Sequence, residues 1–160
     1  EQRLASVAEV KSALKNTIHI LKSANSNVEI VFTVSPIRHL KHGSAGNQLS
    51  KSTLVVAAQE LMASEKNVHY FPSYELLLDD LRDYRFYEED LIHPNKVAVD
   101  YIWQKFSNTF FSAQTKALVD EVFQIRAMLS HRVFNPSTSS SVAFREKLES
   151  TITKCSIRFE

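Results

Sequence analysis

The chain has 160 residues, enough for one ordinary core, with 44% hydrophobic and 23% charged residues and a formal net charge of +1. That balance gives no electrostatic case for nucleic acid or an anionic membrane surface. Only two glycines occur, which excludes Gly-rich phosphate loops, and no apolar run approaches the ~20 residues of a membrane span.

Taken in chain order, "RLASVAEVKSALKNTIHILKSANSN" places Leu4, Val7, Val10, Leu14, Ile18 and Leu21 at steps of three and four, one stripe of a helix. "VEIVFTVSP" (28–36) is a β-branched run stopped by Pro36 and reads as a buried strand. "IRHLKHGSAGNQ" carries both glycines and reads as a loop, and a helix capped by Ser50 is expected over 50–67. A short strand at 67–71 ends at Pro72, "YELLLDDLRDY" reads as a short helix, and "NKVAVDYIWQKF" as a longer one. Trp103 is expected to pack that helix onto the sheet. Leu118, Val122, Ile125 and Leu129 form a further helix stripe, "NPSTSSS" (135–141) a linker, and the tail a last helix ending in a short strand.

Helix, strand, loop, helix, strand, loop, helix implies an α/β layer with parallel strands. In such a sheet the ligand site lies beyond the carboxyl ends of the strands. Ser35, Arg38, His39 and His42 follow the first strand there, and Ser73 follows the second.

"YEEDLIHPN" (87–95) sets Asp90 three residues before His93, with Pro94 next. Proline favours the first helical position, so His93 is expected at a helix mouth. Asp90 can accept from the imidazole, fix its tautomer and leave the other ring nitrogen as a general base. The nearby helix N-terminus would keep that base neutral. The plainer alternative is a surface turn with a capping histidine. His39, His42, Asp90 and His93 match no strong zinc spacing. The carboxylates of "DDLRDYRFYEED" lack the glycine of a calcium loop and read as a solvated face paired with Arg82 and Arg85. Tyr84, Phe86 and Tyr87 either line a cleft or pack beneath the loop. Ser35 and Ser73 end strands without the glycines of a nucleophile elbow. His19 and His69 fall inside regular elements and read as structural.

"FTVSPIRHLKHG", "LSKSTL", "YFPSYELLLDDLRDYRFYEEDLIHP" and "AVDYIW" together resemble the GSCFA family over about residues 9–106, and "DLIHPN" resembles the last Asp-x-x-His block of the SGNH (GDSL-like) hydrolases. The resemblance implies a three-layer, flavodoxin-like SGNH fold, here partial, with a parallel sheet over 1–111 and a helical extension over 112–160. It implies cleavage of a small-molecule or glycan acyl ester with Asp90 and His93 as acid and base of a Ser-His-Asp triad. Ser35, Arg38 and His39 would then be substrate-facing or oxyanion groups. No cofactor and no metal are expected. The chain has no Gly-Ser-Cys-Phe-Ala segment, and its one cysteine is Cys155 in "TKCSI". The nucleophile and first strands are therefore expected upstream of Glu1, and the chain by itself is expected to be inactive. Exposed sheet edge or the 112–132 helix would then pair two copies. The lone cysteine and the absence of a signal-like start favour the cytoplasm. The competing reading is a non-catalytic interaction module or degenerate hydrolase that docks through the 112–132 helix.

Overall fold

The computed structural model describes residues 3–131 and 138–156. The chain divides into two compact units, Glu1–Lys105 and Phe106–Glu160.

In the first unit, α1 (Val7–Ala24) starts on a capping box: the Ser6 hydroxyl accepts from the Glu9 N–H, and the Glu9 carboxylate accepts from the Ser6 N–H at 2.9 Å. Its stripe reaches the core through Ile18, 2% exposed. β1 (Ile30–Thr33) and β2 (Val68–Phe71) pair in parallel, with Ile30 opposite Val68 and Thr33 opposite Phe71. They are joined through α2 (Gly43–Ser64). Ile18, Ile30, Leu61 and Val68 form one buried cluster, with Leu14, Val28 and Phe32 packed around it. The expected α/β unit with a partial parallel sheet is therefore present, in a chain that is otherwise mostly helical.

α2 begins seven residues before Ser50, so the glycine-bearing stretch is not all loop. Both glycines serve the start of the helix rather than break it. Gly43 has φ +65°, which a side chain disfavours, and a Cβ on Gly46 would sit 2.4 Å from the Cβ of His42. Ser50 lies inside the helix and caps nothing.

After β2 come α3 (Ser73–Asp79), a single 3-10 turn (Tyr84–Phe86) and α4 (Lys96–Phe110). Leu77, Leu81 and Ala98 make a second cluster, with Phe86, Tyr87, Tyr101 and Ile102 against it. Phe86 and Tyr87 thus pack beneath the loop. Trp103 is 41% exposed and belongs to neither cluster; Ala98, Tyr101 and Ile102 carry the inward face of α4 instead. Asp79 and Asp83 pair with Arg82 and Arg85, as the solvated-face reading expects.

In the second unit, α5 (Ala113–Ser130), capped by the Ser112 hydroxyl, packs with α6 (Ser139–Ser156), where Cys155 is buried. The strand expected at the tail and part of the linker lie outside the described residues. No helix among the described residues is long and apolar enough to cross a membrane.

Candidate active site

The Asp90–His93 turn is closed at its base. Tyr87 and Pro94 form an antiparallel bridge, the Glu88 N–H donates to the His93 carbonyl at 2.8 Å, and the Asn95 N–H donates to the Phe86 carbonyl at 2.9 Å. Inside it, Asp90 Oδ1 accepts from the backbone N–H groups of Ile92 (2.8 Å) and His93 (3.0 Å), while Oδ2 faces His93 Nδ1 at 2.6 Å. One carboxylate therefore shapes the turn with one oxygen and holds the imidazole with the other. Leu91, between them, adopts φ +56°. For a residue with a Cβ that left-handed backbone costs roughly 1–2 kcal/mol, and the three hydrogen bonds to Asp90 hold it.

These bonds, the His93 backbone N–H first, then its ring, then the Ile92 N–H, bring the Asp90 carboxyl down from 3.8 to about 2. The carboxylate is thus ionised at neutral pH, and Nδ1 carries the shared proton. In the neutral ring Nε2 is then a bare acceptor, and among the described residues nothing bonds to it. His93 and Asp90 side chains are 55% and 44% exposed, so solvent and small molecules reach them. A depressed carboxylate adds stability that is present above 3.8 and is lost as pH falls through about 2. The Asp90 Cγ resonance should accordingly titrate with a midpoint near 2, whereas a midpoint at the ordinary 3.8 would show that these bonds do not persist in solution.

His93 is not at a helix mouth. Pro94 sits in the bridge, Asn95 caps α4 by accepting from the Ala98 N–H at 3.2 Å, and α4 begins at Lys96. What orients His93 is Asp90 and the closed turn, not the helix dipole.

The loop after β1 meets this turn through its backbone: the Arg38 N–H donates to the Ile92 carbonyl at 3.2 Å. The Arg38 guanidinium lies over Tyr87 at 4.8 Å and Tyr84 at 5.6 Å. His39 turns to its neighbour, with Nε2 2.8 Å from His42 Nδ1, and its N–H donates to Asn47 Oδ1 at 2.7 Å. The Ser35 hydroxyl accepts from the Ile37 N–H at 3.3 Å. Of the predicted residues, then, Asp90 and His93 bond each other directly and Arg38 joins their turn only through its backbone bond to Ile92, while His39 pairs with His42 and Ser35 stays at the exit of β1. Ser73 is committed elsewhere: its buried hydroxyl donates to the Val34 carbonyl at 2.8 Å and meets Thr33 Oγ1 at 2.6 Å. His69 bonds Glu29 at 2.7 Å across the strands. Among the described residues no group of three metal-binding side chains gathers.

One residue escaped the sequence reading. Lys51 is only 8% exposed, donates to the Ser35 carbonyl at 2.6 Å and lies 5.8 Å from the Tyr74 ring, whose hydroxyl donates to Gln48. Burial lowers its pKa. The signal was its register: it stands seven residues before buried Ala58 and ten before buried Leu61, on the inward stripe of α2. Removing the ammonium gives up its bond to the Ser35 carbonyl but also the cost of burying a charge with no counter-ion among the described residues, and the two effects oppose each other. Lys51→Met should therefore change stability by no more than about 1 kcal/mol while freeing the 35–42 loop. Faster amide hydrogen exchange at Ile37 and His39 is the expected readout. Unchanged exchange there would show that the ammonium does not position the loop.

The sequence profile of the GSCFA family matches residues 1–106. The chain belongs to the GSCFA family. The match takes in both strands, the loop after β1, Lys51 and the whole Asp90–His93 turn, so every residue of this site falls within the GSCFA region. Neither a curated protein nor a solved structure matches the chain.

Proposed function

We propose that this GSCFA chain supplies the base and orienting acid of an acyl-ester hydrolase of the SGNH type. The observation that carries this reading is the bond from His93 Nδ1 to an Asp90 carboxylate held ionised, which leaves Nε2 bare, exposed and fixed in orientation. That is the state a general base requires before it takes a proton from a hydroxyl nucleophile. The position supports it: β1 and β2 are parallel, and the turn approaches the loop that leaves the carboxyl end of β1. In this reading the partial sheet is a portion of the three-layer SGNH sheet. The serine comes from the family's N-terminal motif, and Ser35, Arg38 and His39 border the substrate. The reaction is two-step acyl transfer. His93 Nε2 takes the serine proton as its oxygen bonds to the ester carbonyl carbon. The same proton goes to the departing alkoxide, and water then releases the acid by the reverse sequence. The test is hydrolysis of p-nitrophenyl acetate by the chain joined to a segment bearing Gly-Ser-Cys-Phe-Ala, with and without His93→Ala. Activity that survives the substitution removes His93 as base.

A further inference from the structure

Beside the Asp90–His93 turn lies a pocket of about 190 Å³ lined by Arg38, Leu77, Leu78, Leu81, Arg82, Asp83, Tyr84 and Tyr87. It is open to solvent, and its charges are unevenly matched. Arg82 pairs with Asp79, and Asp83 binds the Arg85 N–H at 3.1 Å and lies 3.9 Å from the Arg85 side chain. Arg38 has no carboxylate partner among the described residues. Its guanidinium lies over Tyr84 and Tyr87, whose ring centroids are 6.4 Å apart and tilted by 48°. A cation–π contact engages the charge of the guanidinium and leaves its hydrogen-bonding capacity unspent. The N–H donors lie in its plane, and no side-chain hydrogen bond among the described residues uses them. The leucines supply an apolar wall next to this cation: Leu77 and Leu81 are buried, and Leu78 is exposed.

A planar fork of unused donors matches a carboxylate, which it can bind through two parallel hydrogen bonds. A cavity of roughly 150 Å³ is enough for a benzene ring, so this pocket takes a body of about that size. We propose that the Arg38 pocket is a binding site for a carboxylate carried on a small apolar or aromatic body. The anion lies against Arg38 and the body against Leu77, Leu78 and Leu81. This deepens the esterase reading by giving the substrate, or its released acid, a carboxylate. It rests on that reading only for calling the ligand a substrate or product. The Arg38 N–H bond to the Ile92 carbonyl ties the site to the turn that carries His93.

The test is binding, not turnover. Benzoate is titrated into the 160-residue chain and followed by amide and side-chain resonances. Saturable shifts are expected at Arg38, Leu81, Tyr84 and Tyr87, with benzamide, the neutral isostere, binding at least about tenfold more weakly. Inorganic phosphate, an anion without the apolar body, should not displace benzoate. Arg38→Met should weaken benzoate by about tenfold or more, and Arg38→Lys, which keeps the charge but loses the fork, should fall between. Benzamide binding as tightly as benzoate on the unaltered chain overturns the proposal whether or not the variants fold. So do shifts that map elsewhere, displacement by phosphate, or benzoate affinity that ignores Arg38→Met. None of these needs a nucleophile. Failure here with a His93-dependent esterase would remove the pocket alone, and benzoate binding without esterase activity would remove the enzymatic reading alone.

Discussion

His93→Ala should lower the rate of p-nitrophenyl acetate hydrolysis by roughly 10⁴-fold or more in the chain joined to a Gly-Ser-Cys-Phe-Ala segment. The magnitude follows from what the imidazole does twice in each cycle, first taking a proton from the serine as nitrophenolate leaves and then, in deacylation, taking one from water. Without it a serine hydroxyl stays protonated at neutral pH and attacks slowly. The 160-residue chain on its own should hardly exceed buffer, although its base and acid are formed. Among the described residues no serine or cysteine meets His93 Nε2. Ser73 is buried with its proton donated to Val34, Ser35 is held by the Ile37 N–H, and Cys155 is buried in the other unit. Comparable turnover by the chain with and without the added segment, lost on Ser35→Ala, would place the nucleophile within this sequence and refute the assignment.

The two strands were legible because β-branched runs ended by Pro36 and Pro72 leave few alternatives, and the helix between them forces a parallel pairing. The start of α2 was not. Glycine reads as a breaker in sequence, and only the positive φ of Gly43 and the crowding of Gly46 by His42 show that both serve the first turn. Lys51 was hidden by its charge: a lysine on an apolar stripe reads as solvated until the Ser35 carbonyl opposite it is seen. The Asp90–His93 spacing was plain, but its cause was not. Proline after a histidine suggested a helix start, whereas the chain uses Pro94 in a bridge and Asn95 as the cap. The left-handed backbone of Leu91, which makes Asp90 Oδ1 available to two N–H groups, has no signature in a leucine.

Asp90→Asn should cost about 10⁴-fold in kcat, because it reverses the histidine tautomer rather than merely loosening the ring. Asp90 Oδ1 accepts two backbone N–H groups, from Ile92 and His93. An asparagine must keep its carbonyl oxygen there, since its amide nitrogen cannot accept. The amide NH₂ then takes the place of Oδ2 and donates to Nδ1. Nδ1 must become the bare nitrogen, and the ring proton moves to Nε2, the atom that has to act as base. The turn keeps its two backbone bonds, so the variant should fold. Asp90→Ala makes the opposite trade: it gives up both backbone bonds and leaves the tautomer unforced. Asparagine is therefore expected to be the more stable variant and the no more active one. Imidazole nitrogen resonances report the tautomer directly, with Nδ1–H expected in the unaltered chain and Nε2–H in Asp90→Asn. Should the asparagine variant keep Nδ1–H, or retain more than about a tenth of the rate, Asp90 would be a residue that shapes the turn without setting the proton on His93.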